Sequence, residues 1–396
     1  TNFQRVYYPK ASLSWVVSEE GFFPRPDWLD QFRLRTALGA AGVQPGPNDA
    51  DRTFSVTTTN IASTDVAGLR SNQLGNPDIK PERSTEFEAG FETRFLGSRV
   101  SFDYTFYRKQ TKDALVQMVI APSAGASVTS NLTNLAAVRN WGHEALLNAQ
   151  VVATRLASWD VTVSASHNSN KLVTLGNDAS GKPIPTIGTG NIRQAEGYPL
   201  NSTWTRRFAY GDANNDGYIT PNEVTVDTAF TYLGYSQPRL ELSVTNGLSL
   251  FRDRVRLAAL VDHKSGYYVS NTEQSFLCQQ STSCKGTSSL DATLWEQARA
   301  IAIRDGVPST PHGYYEKPDF WRIREVSATY AFGDRFAQRY LRMRGASVSV
   351  AARNLKVFTD WTGVDPEQNY GQGDTQQTLL TAGPPRYFTA RANFRF

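Results

Sequence analysis

This 396-residue sequence predicts an all-β fold, the wall of a transmembrane antiparallel β-barrel. Three observations lead there. Apolar and polar residues alternate with a period of two in segment after segment, as in strands with one oily and one wet face. The connections between these segments alternate between short and long. Hydrophobic residues make up 40% of the chain and aromatics 12%, yet no window approaches the ~20 apolar residues of a membrane-spanning helix, so any crossing falls to strands.

The strands follow in chain order. In "TEFEAGFETRF" Phe87, Ala89, Phe91 and Phe95 face one way and Glu86, Glu88, Glu92 and Arg94 the other. "RVSFDYTFYRK" sets Val100, Phe102, Tyr104 and Phe106 against Ser101, Asp103 and Thr105, and "WDVTVSASHNS" sets Trp159, Val161, Val163 and Ala165 against Asp160, Thr162, Ser164 and Ser166. "RLELSVT" and "RVRLAALVD" continue the pattern, with Leu240, Leu242 and Val244, then Val255, Leu257, Ala259 and Val261, on their oily faces. The last segment, "YFTARANFRF", has Phe388, Ala390, Ala392, Phe394 and Phe396 on one side. The whole reading gives eleven strands, near 5–17, 31–43, 84–95, 98–111, 139–154, 158–172, 237–248, 253–269, 318–332, 342–358 and 386–396, with ends good to ~2–4 residues.

Most of these exceed the ~5–6 residues usual in soluble sheets and suit tilted strands crossing a bilayer. Long connections fall at about 44–83, 112–138, 173–236, 270–317 and 359–385. Tight turns on one side and large loops on the other characterise an outer-membrane barrel, with the loops extracellular. A secreted β-sandwich also alternates, but its wet faces would not need charges as dense as Glu86, Glu88, Glu92, Arg254 and Arg256, which suit a water-filled lumen. Aromatics near strand ends (Tyr7, Tyr8, Phe106, Tyr107, Tyr267, Tyr268, Phe358, Trp361) are expected to form an interfacial girdle. Phe394 and the terminal Phe396 read as a barrel-closing signal.

The remaining chemistry is sparse. Forty-one basic and thirty-seven acidic residues are interspersed, leaving no basic footprint for nucleic acid. The four histidines, His143, His167, His263 and His312, are scattered without metal-ligand spacing, and no nucleophile and base assemble, so no catalysis is expected. Cys278 and Cys284, in the polar run "CQQSTSC", read as a local disulfide of an oxidising compartment, with two free thiols as the alternative.

"DANNDGYITPNE" fits the D-x-[DN]-x-[DN]-G-x5-E calcium pattern. It offers Asp212, Asn214, Asp216, the carbonyl of Tyr218, Thr220 through water, and a bidentate Glu223, with Gly217 where the chain must turn. The flanks are β-branched and aromatic, so this is no EF-hand; a structural calcium would brace an extracellular loop, and the alternative is a metal-free turn.

The sequence resembles a known family. "GNPDIKPERSTEFEAGFETRFLGSRVSFDYTFYRKQTKDAL" is similar to a stretch of TonB-dependent outer-membrane transporters, especially the SusC/RagA branch. Further matches follow in order: "YPKASLSWVVSEEGFF", "FRLRTALGAAG", "DANNDGYIT" with "LGYSQPRLELSVTNGL", "YYEKPDFWRIREVSATYAF", "AARNLKVFTDWTGVDPEQ" and the terminal strand. The resemblance implies a 22-stranded barrel holding an N-terminal plug. Eleven strands with no plug-like region would be its C-terminal half, a mature or truncated piece, since unpaired edges in lipid are untenable.

The resemblance also implies an integral protein of the bacterial outer membrane that imports an oligosaccharide or peptide. It would be driven by the TonB complex through the missing N-terminal part and capped by a SusD-like lipoprotein. Trp204, Tyr210, Tyr218, Trp295, Tyr314, Tyr315 and Trp361 in the long loops are then candidates for substrate or lid contact, or for packing the loops together. A transporter of metal chelates and a calcium-stabilised adhesin or structural barrel remain as other readings.

Overall fold

The computed structural model describes residues 7–119, 130–177, 181–188, 190–281, 283–368 and 377–396. Eleven strands form one sheet: β1 (Lys10–Val16), β2 (Leu29–Val43), β3 (Glu82–Phe95), β4 (Val100–Val119), β5 (Ser130–Ala153), β6 (Ala157–Thr174), β7 (Leu240–Leu250), β8 (Val255–Ser265), β9 (Phe320–Ala331), β10 (Gly345–Thr359) and β11 (Tyr387–Arg395). Each pairs antiparallel with its neighbours in chain order. All eleven expected strands are present.

One boundary is corrected. β4 and β5 run for 20 and 24 residues and take up most of the expected loop at 112–138. Register shifts at Thr111/Ala114 and Ala137/Val138, with Asp113 at φ +53°, move the side-chain phase there, so the alternation breaks although the pairing continues.

Residues opposite one another in register share a face. On one face Val163, Val244, Val261 and Ile323 form a row across four strands, and Leu34, Phe91 and Tyr104 form another. This face is exposed: Leu38, Phe87, Leu257, Val350, Phe388, Phe394 and Phe396 all lie open on it, as on a barrel wall against lipid. Trp15, Phe22, Phe23, Trp28, Phe32, Phe91, Phe95 and Phe102 form ring contacts at the tight-turn end. None of the eight aromatics expected in the girdle belongs to that band. Phe106 and Phe358 lie on the outer face, but Tyr107 points inward, its hydroxyl donating to Asn168, and Tyr267 and Trp361 are buried among the loops.

The opposite face is held by ion pairs between strands. Arg33 meets Glu92 at 3.3 Å, Arg256 meets Asp160 at 3.0 Å, Lys264 meets Glu241 at 3.4 Å and Arg353 meets Glu325 at 2.6 Å. Three glycines open space for contacts that skip a strand. Gly90 lies between Arg35 and Thr105, Gly142 between Tyr107 and Asn168, and Gly247 between Asp160 and Arg256. A Cβ at Gly247 would collide with both members of its pair.

The buried apolar clusters lie among the loops and the strand ends beside them. The expected 270–317 loop contains three helices, α1 (Thr272–Gln280), α2 (Lys285–Ser288) and α3 (Leu294–Arg304).

Candidate functional site: the loop cap

Helix α3 organises the cap. Thr293 caps it by accepting from the Glu296 N–H at 3.2 Å while Glu296 accepts from the Thr293 N–H at 2.9 Å, a reciprocal capping box. Lys285 donates to Glu296 at 2.8 Å, and this bond, followed by the Thr293 amide, holds the Glu296 carboxyl down at about 2. The T-x-x-E pattern ahead of "LWEQARAIAI" was the available sequence signal for this helix. Ala298 and Ile301 pack against Ile219, with Phe208 and Val224 alongside; Ala300 and Ile303 pack against Cys278, Cys284 and Tyr314. Cys278 and Cys284 are disulfide-bonded and buried.

The 212–223 segment is the tip of a ribbon in which Phe208–Tyr210 pairs with Val224–Val226. Neither flank is helical. Gln297 of α3 accepts from the Ile219 N–H at 2.9 Å and donates to the Gly217 carbonyl at 3.1 Å, docking the tip. Asp212 accepts from the amides of Asp216 and Gly217 at 3.1 and 2.9 Å, and Asp216 accepts from that of Tyr218 at 2.8 Å. Glu223 reaches back to the amides of Ala213 and Thr220, both at 2.8 Å. These bonds, the Thr220 amide first, lower the Glu223 carboxyl below the usual range. Gly217 has φ +81°, a conformation that favours a residue without Cβ. The carboxylates thus fold the loop through its own amides. Among the described residues no three His, Cys, Asp or Glu side chains gather in a metal-holding group.

The expected contact aromatics divide. Tyr210 and Trp295 come together, with ring centroids 6.0 Å apart, and Trp295 stacks on Phe208 at 5.1 Å; both Tyr210 and Trp295 are 41% exposed. Tyr218 is exposed nearby on the ribbon tip. Trp204 is half-buried and packs between Tyr198 and Tyr232, with Tyr198 on the exposed side. Tyr314 and Trp361 are corrected as contact residues because packing buries both. Tyr314 lies under Arg299 beside the disulfide, and Trp361 lies against Tyr267 and Val269. Tyr315 is half-buried, and loss of water pushes its hydroxyl up to about 12.

A latch that the sequence reading did not single out joins cap to wall. Arg322 of β9, 2% exposed, donates to Asp365 at 2.6 and 2.7 Å and has Glu367 at 2.9 Å. Arg324 binds Asp262 of β8 at 2.7 Å and also Glu367. Two acids two apart in "VDPEQ" and two arginines two apart in "WRIRE" were its only trace.

Residues 1–247 match the family model described as TonB dependent receptor-like, beta-barrel. TonB-dependent receptor P26 of Formosa agariphila is 24% identical over 92% of this chain and 39% of its own length. TonB-dependent receptor SusC of Bacteroides thetaiotaomicron is 23% identical over 92% of this chain and 38% of its own. Among solved structures, the RagAB peptide importer in its closed-closed state superposes on 98% of this chain and 43% of the other with TM-score 0.79 at 18% identity. The chain therefore spans about 40% of the curated relatives' length and, on the family-model match and its eleven-stranded wall, belongs to the TonB-dependent receptor-like β-barrel family of the outer membrane.

Proposed function

We propose that the whole protein imports a peptide or oligosaccharide across the outer membrane, energised by the TonB complex and working with a surface lipoprotein lid of the SusD type. The observation that carries this is the wall: a charged inner face, an apolar outer face, and a fold shared over 98% of the chain with a protein described as a peptide importer. The exposed pair Tyr210 and Trp295 is the surface we assign to cargo or lid, because two adjacent aromatic faces can stack on a sugar ring or a peptide side chain. The relatives named are receptors and importers, and no catalytic role is assigned.

The test uses the full-length gene in its host. Uptake of labelled oligopeptides and oligosaccharides should require TonB, and Tyr210→Ala with Trp295→Ala should lower uptake at limiting substrate while the amount of barrel in the membrane is unchanged. Uptake of a metal chelate alone would replace this reading. We further propose that the Asp212–Glu223 loop takes a weakly held structural calcium, supported by its complete set of motif positions and its ends being drawn together by Glu223. Calcium should slow proteolysis of this loop, and Glu223→Gln should abolish that effect; equal cleavage with calcium and with chelator would leave the segment a metal-free turn.

A further inference from the structure

The link from β9 to β10 is longer than the neighbouring tight turns. It is helical from Asp334 to Leu341 and ends with Arg342 in the left-handed region at φ +52°. It lies at the tight-turn end of the wall. Four rings climb down it from the outer face: Tyr330 contacts Phe332 at 5.0 Å, Phe332 stacks on Phe336 at 5.4 Å, and Phe336 meets Tyr340 at 5.0 Å. Phe336 is 44% and Tyr340 67% exposed. Beside them stand four exposed arginines, Arg335, Arg339, Arg342 and Arg344, and no ion pair joins these to a carboxylate among the described side chains.

We propose that this link is a membrane-interface foot whose rings enter the inner leaflet and whose arginines bind anionic phospholipid headgroups. Continuity carries the argument. Tyr330 belongs to the lipid-facing row of β9, in register with Val255 and Val348, and the ring stack extends that row past the strand end without a break. Aromatic rings with one wet edge settle at the headgroup level, and arginine pairs with phosphate oxygens through several N–H donors. A basic segment that also carries exposed aromatics lies in the interface plane instead of crossing it. An acidic periplasmic protein could use the arginines, but it gives no reason for an exposed ring stack continuous with the membrane-facing surface.

The test places an environment-sensitive fluorophore on Tyr340→Cys in full-length protein bearing no other free thiol; Cys278 and Cys284 are already bonded to each other. The protein is reconstituted in vesicles of phosphatidylcholine with or without phosphatidylglycerol. Emission should shift to the blue, and a quencher attached near the headgroup end of the acyl chains should quench it. Native mass spectrometry should find phosphatidylglycerol retained, with a several-fold loss when the four arginines are changed to Gln. A label that stays water-exposed in both vesicles would overturn the proposal, including the case where only an added acidic protein shields it. Equal phosphatidylglycerol retention by the Gln variant would also overturn it. Should that variant fail to assemble, the single labelled variant still decides, because it keeps all four arginines.

Discussion

In strand β8 Leu257 is 41% exposed and Arg256 on the opposite face is paired with Asp160, whereas in helix α3 Ala298 and Ala302 are fully buried and Glu296 lies at the surface. The same residue types are sorted in opposite senses in two regions of one chain. In the wall the apolar side faces outward because its solvent is lipid, and the inward side keeps its charges because the lumen is wet. In the cap water surrounds the loops, so Ile219, Ile301, Ile303 and the disulfide pack inward as in a soluble domain. The wall is held by backbone ladders and half-exposed ion pairs, each pair worth ~1 kcal/mol or less; the cap is held by burial, a disulfide and a latch. Damage to one region should therefore spare the other.

The largest separation is expected from Arg322→Ala. It leaves Asp365 buried without its partner, a loss of about 3–5 kcal/mol local to the cap. Protease should then cut the 360–368 segment readily while the strands stay protected; unfolding of the whole wall would merge the two regions. Next, Cys278→Ser with Cys284→Ser should loosen α1–α3 by about 2–4 kcal/mol, read as faster proteolysis of the 270–317 loop with normal membrane insertion. On the wall side, Gly247→Val inserts bulk between Asp160 and Arg256 at a cost of about 1–3 kcal/mol. It should lower the yield of inserted barrel and leave cap proteolysis unchanged.

Acid gives the smallest effect. The Glu296 carboxyl is held near 2 against an ordinary 4.5, so its contribution is fully present above about 4.5 and fades as pH falls toward 2. Protection of α3 should weaken across that window in the wild type, and Glu296→Gln should remove this component.

These two regions were not equally legible in the sequence. The wall was, because each face meets one environment for the full length of a strand, which prints a period of two; only the bulges at Thr111/Ala114 and Ala137/Val138 hid the outer ends of β4 and β5. The cap was not, because its partners come from distant segments. Nothing local distinguishes the exposed Trp295 from the buried Trp361, and α3 showed itself only through Thr293 and Glu296. The latch was hidden for the same reason: Arg322 and Asp365 are 43 residues apart. The short spacing of Cys278 and Cys284, by contrast, kept that contact readable.

The central claim, that one face of the sheet meets lipid and the other water, is tested most directly on β8. Single cysteines placed at positions 255 to 262 of the full-length protein in vesicles, each carrying a fluorophore, would be scored for quenching by acyl-chain quenchers and by aqueous ones. Positions Val255, Leu257, Ala259 and Val261 should be quenched from lipid, and Arg256, Ala258, Leu260 and Asp262 from water. Quenching without alternation along the strand, or aqueous access at every position, would contradict a membrane wall.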